Sequence, residues 1–159
     1  MKVIQLFLCF FSFTIAATCQ ERVPRDSNKR PYVVVDTFTV DLKYLVLNPS
    51  SIEKVNILKE SNAVAAYGEK ARYGALIFKT RVNTSLLRIS DIAERYNLPL
   101  SDRQLRACIN NIIVGKRELA LLEESEIALV EITTDAFWID PADANTGERF
   151  INITTKKND

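Results

Sequence analysis

LNPSSIEKVNILKESNAVAAYGEKARYGALIFKT, Leu47 to Thr80, decides the fold. Asn48-Pro49 reads as a helix start. Asn caps well because its side-chain oxygen takes an orphan backbone N–H, and Pro at the next position gives up an N–H that would lack a partner. One helical turn over Ser50 to Glu53 comes next, then a strand over Val55 to Leu58. Ser61 is placed to cap a short Ala-rich helix over Asn62 to Tyr67, and Gly68 to end it where a positive φ is wanted. Gly74 restarts the chain into a second strand, Ala75 to Thr80. The pattern is α+β.

Working outward, Tyr32 to Val35 is β-branched and reads as a strand, which Asp36-Thr37 turns into Phe38 to Val40. The same grammar returns downstream. Cys108-Ile109, Asn110-Asn111 and Ile112 to Val114 repeat strand, polar turn, strand. Ser125 to Ile132 echoes Ser50 to Ile57, and Gly147 leading into FINITTK echoes Gly74 leading into ALIFKT. At an offset of about 75 residues this reads as a duplicated β-rich unit. The second copy has lost its helix, replaced by a loop from Thr134 to Thr146. Val55, Ile57, Val130 and Ile132 should then be core, with Asn56 and Glu131 on the other face, since strand side chains alternate. Between the copies, Ile89, Ile92, Ala93 and Tyr96 fall at helical spacing, and Ser101-Asp102 can start a second short helix through Leu105.

This stretch resembles the plug domain of TonB-dependent outer-membrane receptors, especially the nutrient importers. The residues that carry the resemblance are Asn48-Pro49, Ile52-Glu53, Ala66-Tyr67-Gly68 and Leu76 to Thr80, with PYVVVD, Pro31 to Asp36, ahead of them. It covers residues 31 to 81 well and 108 to 156 loosely. It implies small mixed sheets with short helices packed on them, and a place in the bacterial envelope. In that family the plug sits in a 22-stranded barrel, which needs on the order of 220 residues in strands. The residues after Thr80 are too few for such a barrel, so a stand-alone plug-like protein is expected. The family's strand region before PYVVVD, on which its energy-coupling contact depends, is here a short polar leader.

The N-terminus fits export. Lys2 precedes an apolar run from Val3 to Ala17 that is too short to span a bilayer, as in a cleaved signal. The expected organisation is a signal peptide 1–19, a flexible leader 20–30 and a plug-like domain 31–159. Within it lie copy one 31–81, a helical connector 82–106 and copy two 107–157. Ala16 to Cys19 also makes a poor lipobox, so Cys19 is a candidate lipidation site and lipid tether, with no transmembrane segment in the mature form. The expected localisation is periplasm or outer membrane. Cys108 then stands alone in an apolar run and reads as a buried thiol.

Composition excludes more than it assigns. The 159 residues include no histidine, and the formal charge is +1. The commonest general base and metal ligand is absent, no Ser-x-x-Lys occurs, and nothing suggests a nucleic-acid partner. No catalytic residue, metal ligand or cofactor is assigned. DPADANTGE carries Asp140, Asp143, Asn145 and Glu148, a fragment of a calcium loop that a solvated turn explains equally. Phe137 and Trp138 precede it, either filling the core or forming a docking point. Phe137, Trp138, Asp140 and Asp143 are therefore the candidate ligand-binding residues. The expected role is a non-catalytic exported binding or accessory module, with outer-membrane nutrient uptake as its candidate setting and an envelope protein or glycan as its partner. The alternative is a secreted or surface-tethered carbohydrate- or protein-binding protein unrelated to receptors.

Overall fold

Residues 29–134 and 147–156 are described in the computed structural model of the chain. The first half runs β1 (Tyr32–Val35), β2 (Phe38–Val40), β3 (Leu45–Val46), β4 (Ile52–Leu58), α1 (Glu60–Tyr67) and β5 (Ala75–Thr80). Next come β6 (Leu86–Leu87), α2 (Ile89–Arg95), β7 (Arg106–Ile109), β8 (Ile112–Ile113), β9 (Leu121–Glu123), β10 (Ile127–Thr133) and β11 (Phe150–Thr155). The fold class is α+β, with two α-helices and three small mixed sheets among the described residues.

The valines after Pro31 make β1, and Asp36-Thr37 turns the chain so that Val35 faces Phe38. Asp36 sits at φ 50°, which a short polar side chain tolerates. Its carboxylate accepts the Thr80 N–H at 3.0 Å and the Thr80 hydroxyl at 2.7 Å. The hairpin is thereby tied to the end of β5, which runs parallel to β1, while β4 lies antiparallel on the far side of β5. Helix α1 buries Ala63 with Ala71 and Ala75 against Tyr32, Leu58 and Tyr67.

Asn48 caps as its sequence predicts, its Oδ1 accepting the Ser50 N–H at 2.9 Å. The turn is Pro49–Ser51, shorter than expected, because Ile52 and Glu53 already belong to β4. Ser61 is not the cap of α1. Lys59 holds that position without a side-chain bond, and Glu60 brings negative charge to the first turn. Gly74 stands at φ +91°, and a Cβ there would lie 2.9 Å from the Leu58 carbonyl oxygen. Gly74→Ala is expected to cost roughly 2 kcal/mol through strain and backbone contact together, read as a lower urea midpoint at constant slope.

In the second sheet β8, β7, β11 and β10 occupy the places of β2, β1, β5 and β4, with the same parallel and antiparallel pairings. Asn110, at φ 51°, accepts the Thr155 N–H at 2.9 Å, as Asp36 does that of Thr80. Both β4 and β10 start with a register irregularity, between Ile52 and Lys54 and between Ile127 and Leu129. The third sheet joins the halves: β3 lies parallel to β9, and β6 antiparallel to it.

Half of the burial expectation for the strands is overturned. Register sets two rows across one face of the first sheet, Val40–Val33–Leu76–Ile57 and Phe38–Val35–Phe78–Val55. Val33 and Val35 are buried with Leu121 of the third sheet. Toward the outer strand cover is lost, and Val55 and Ile57 are 45% and 72% exposed. The matching Val130 and Ile132 are partly buried, because α2 contributes the fully buried Ile89, Ile92 and Ala93 to their cluster. Asn56 and Glu131 are exposed.

A helix over Ser101 to Leu105 is not formed. The Asp102 and Arg103 N–H groups both turn back to the Pro99 carbonyl, at 2.8 and 3.2 Å. The Asp102 carboxylate, instead of capping, takes both terminal nitrogens of Arg149 at 3.1 and 2.8 Å. Cys108 is a buried free thiol pushed up to about 11, chiefly by burial, with Arg106 lowering it and Glu148 raising it.

Candidate binding surfaces

Phe137, Trp138, Asp140 and Asp143 lie outside the described residues, as does Cys19. On the described side of that loop, Glu148 pairs with Arg106 at 3.5 Å.

A groove of about 850 Å³ runs beside β1 and β2, lined by none of the candidate ligand-binding residues named from sequence. Val33, Val40 and Leu119 give it an apolar floor, with Leu42 half exposed at its side. Its rim carries Lys29, Arg30, Lys43 and Lys70 against the carboxylate of Asp41. Arg30 stands 3.8 Å from Asp41, and Lys70 Nζ lies 4.6 Å from the centre of the Tyr32 ring. The Tyr32 and Thr39 hydroxyls are 2.6 Å apart, and the Tyr32 ring packs tilted against Tyr67. Burial resists ionisation of the Tyr32 phenol, but hydrogen bonds from Lys70 and Thr39 and the Lys70 charge outweigh it and hold the group below its usual value. The arrangement suits a ligand that brings both an anion and an apolar side chain. Sequence reasoning missed it because its cations are scattered from Lys29 to Lys70 and meet only once β5 lies beside β1.

A smaller cleft of about 540 Å³ opens where the halves meet, lined by Ser50, Ser51, Arg81, Ser85, Glu124 and Ser125 among others. Beneath it Glu123 is only 5% exposed. Its carboxylate accepts the Asn48 N–H at 2.9 Å, the Ser51 hydroxyl at 2.7 Å and the Ser125 hydroxyl at 2.6 Å. Asn48 Nδ2 donates to the buried Glu126 at 2.8 Å. Asn48 and Glu123 precede equivalent turns, and Ser51 and Glu126 end them. Each half's turn is thus held by the other's. Both Glu123 oxygens are engaged, so this carboxylate acts as a fastener beneath the cleft.

Among the described residues no group of three or more His, Cys, Asp or Glu side chains could hold a metal ion, and no helix is long and apolar enough to cross a membrane. Comparison with protein-family models, curated proteins and solved structures returns no match.

Proposed function

We propose that the chain is a non-catalytic, exported, plug-like binding module of the bacterial cell envelope, associated with outer-membrane nutrient uptake, and that its halves descend from one duplicated unit. The envelope setting rests on the signal-like N-terminus and on the plug resemblance of residues 31 to 81. Common descent is supported by the repeated strand order and by the paired Asp36–Thr80 and Asn110–Thr155 contacts. The observation that carries the binding role is the groove, where four cations surround an apolar floor and a partly buried tyrosine. Its partner is an envelope protein offering an acidic extended segment with an apolar side chain, since charge sets the encounter and the floor takes the side chain.

Calorimetric titration with a short peptide rich in Asp and Leu tests this against a neutral oligosaccharide. The peptide should bind and the sugar should not, with affinity falling as salt rises. Lys70→Glu should weaken binding at least tenfold, or about 1.4 kcal/mol. Occupancy should also raise the Tyr32 pKa, because the anion takes up the Lys70 charge, and phenolate absorbance reads that shift. Binding of the sugar alone would favour the carbohydrate-binding alternative. Recovery of the chain from the cytoplasm of its host would remove the envelope assignment.

A further inference from the structure

The outer edge of the first sheet is formed by β4, seven residues without proline. Its free backbone groups can be assigned from neighbouring bonds. The Tyr32 N–H bonds to the Gly74 carbonyl and the Asp36 N–H to the Phe78 carbonyl, so Leu76 and Phe78 turn their peptide groups toward β1. Alternation turns those of Ala75, Ile77 and Lys79 toward β4, where they meet Leu58, Asn56 and Lys54. The peptide groups of Val55 and Ile57 therefore point off the sheet. Glu53 and Lys59 flank them at exposed positions, and Lys59 keeps extended geometry at ψ 160°. By contrast, Arg88 donates to the Thr39 carbonyl of β2, the opposite outer strand of this sheet.

We propose that two copies of this chain pair through β4, antiparallel, about a two-fold axis at Asn56. In that register Val55 of each copy faces Ile57 of the other, and Glu53 faces Lys59. The two apolar pairs, on the face where Val55 and Ile57 are uncovered, lie inside two pairs of opposite charge. The outward peptide groups meet one another, as an antiparallel ladder requires. Centring the pair on Val55 sets Glu53 against Ile57, and centring it on Ile57 sets Lys59 against Val55. A shift by an odd number of residues opposes outward peptide groups to inward ones. One register satisfies charge, apolar contact and backbone together, and a second copy supplies it without another partner.

Sedimentation of the full chain should show a reversible monomer–dimer equilibrium. Glu53→Lys and Lys59→Glu should each weaken dimerisation at least tenfold, and the double variant should restore it to within about threefold. Both positions are exposed, so unchanged thermal melting separates this from misfolding. Asn56→Cys should oxidise to a linked dimer, because directly opposed residues of a non-hydrogen-bonded pair stand about 4.5 Å apart, within disulfide reach. Val82→Cys, 87% exposed but outside β4, should not. A chain that stays monomeric, single reversals without effect, failure of the double variant to recover, or equal cross-linking at Val82 would each overturn the proposal. So would β4 amides that gain protection from exchange only when a foreign strand is added.

Discussion

Arg88→Ala is expected to lower the unfolding free energy by roughly 3 kcal/mol, among the largest losses from any single side chain outside the apolar core. Arg88 donates through Nη1 to the Ala120 carbonyl at 3.1 Å and through Nη2 to the Thr39 carbonyl at 3.0 Å. Its guanidinium lies 5.0 Å from the centre of the Phe38 ring. One side chain thus spans the first sheet, the approach to β9 and the start of α2, where its own N–H is capped by Asp91 at 3.0 Å. Burial holds its pKa below the usual guanidinium value, while Asp91 and Glu118 raise it. Alanine would leave two carbonyls without their donor, and Ala120 is fully buried. Arg88→Lys should recover part of the loss, because an ammonium reaches one carbonyl but cannot fork across both. Urea unfolding with an unchanged slope reads both values. A loss under about 0.5 kcal/mol for the alanine variant would mean that water replaces the guanidinium, as at an ordinary surface site.

What the sequence made legible was local. Asp36-Thr37 and Asn110-Asn111 announce hairpins because, glycine aside, short polar residues best tolerate the positive φ those turns impose at Asp36, Asn110 and Asn111. Asn48-Pro49 announces a capped turn by chemistry contained within four residues. Alternation correctly divided Val55 and Ile57 from Asn56, but it cannot say what covers a face. Val130 and Ile132 gain cover because α2 precedes their half of the chain, whereas Val55 and Ile57 lie at the outer strand beyond the third sheet. The helix expected at Ser101 was lost to a distant competitor, since Arg149 claims the Asp102 carboxylate that would have capped it. The basic groove escaped notice for the same kind of reason. Lys70 reaches Tyr32 only through the parallel β1–β5 pairing, which brings together residues separated by a whole helix. Glu123 was equally hidden, because a glutamate in an acidic stretch ordinarily stays in water. The clue was its place 75 residues after Asn48, at the start of a like turn.

Glu123→Ala is expected to cost about 3 kcal/mol at neutral pH, since the Asn48 N–H and the Ser51 and Ser125 hydroxyls would lose one shared acceptor. Those donors belong to both halves, so the loss should loosen the junction rather than either sheet. Hydrogen exchange should rise first at Asn48 and Ser51. The ionised form carries the effect. Burial pushes the Glu123 carboxyl up, but hydrogen bonds from Ser125, the Asn48 N–H and Ser51 outweigh it and hold the group below the ordinary carboxylate value. The unfolded chain therefore binds this proton more readily than the folded one. Its contribution should be complete above an unfolded glutamate pKa of about 4.3 and lost as pH falls through the lower folded value. Glu123→Gln keeps one oxygen acceptor and removes the charge, so it should cost about 1 kcal/mol near neutrality and give a flatter acid limb. Subtracting the two unfolding free energies from pH 7 down to pH 3 isolates Glu123, because Glu124 and Glu126 remain in both proteins. A difference that narrows below about pH 4.3 is the expected outcome. A difference independent of pH would mean that the fastener works through geometry alone, with no share for the charge.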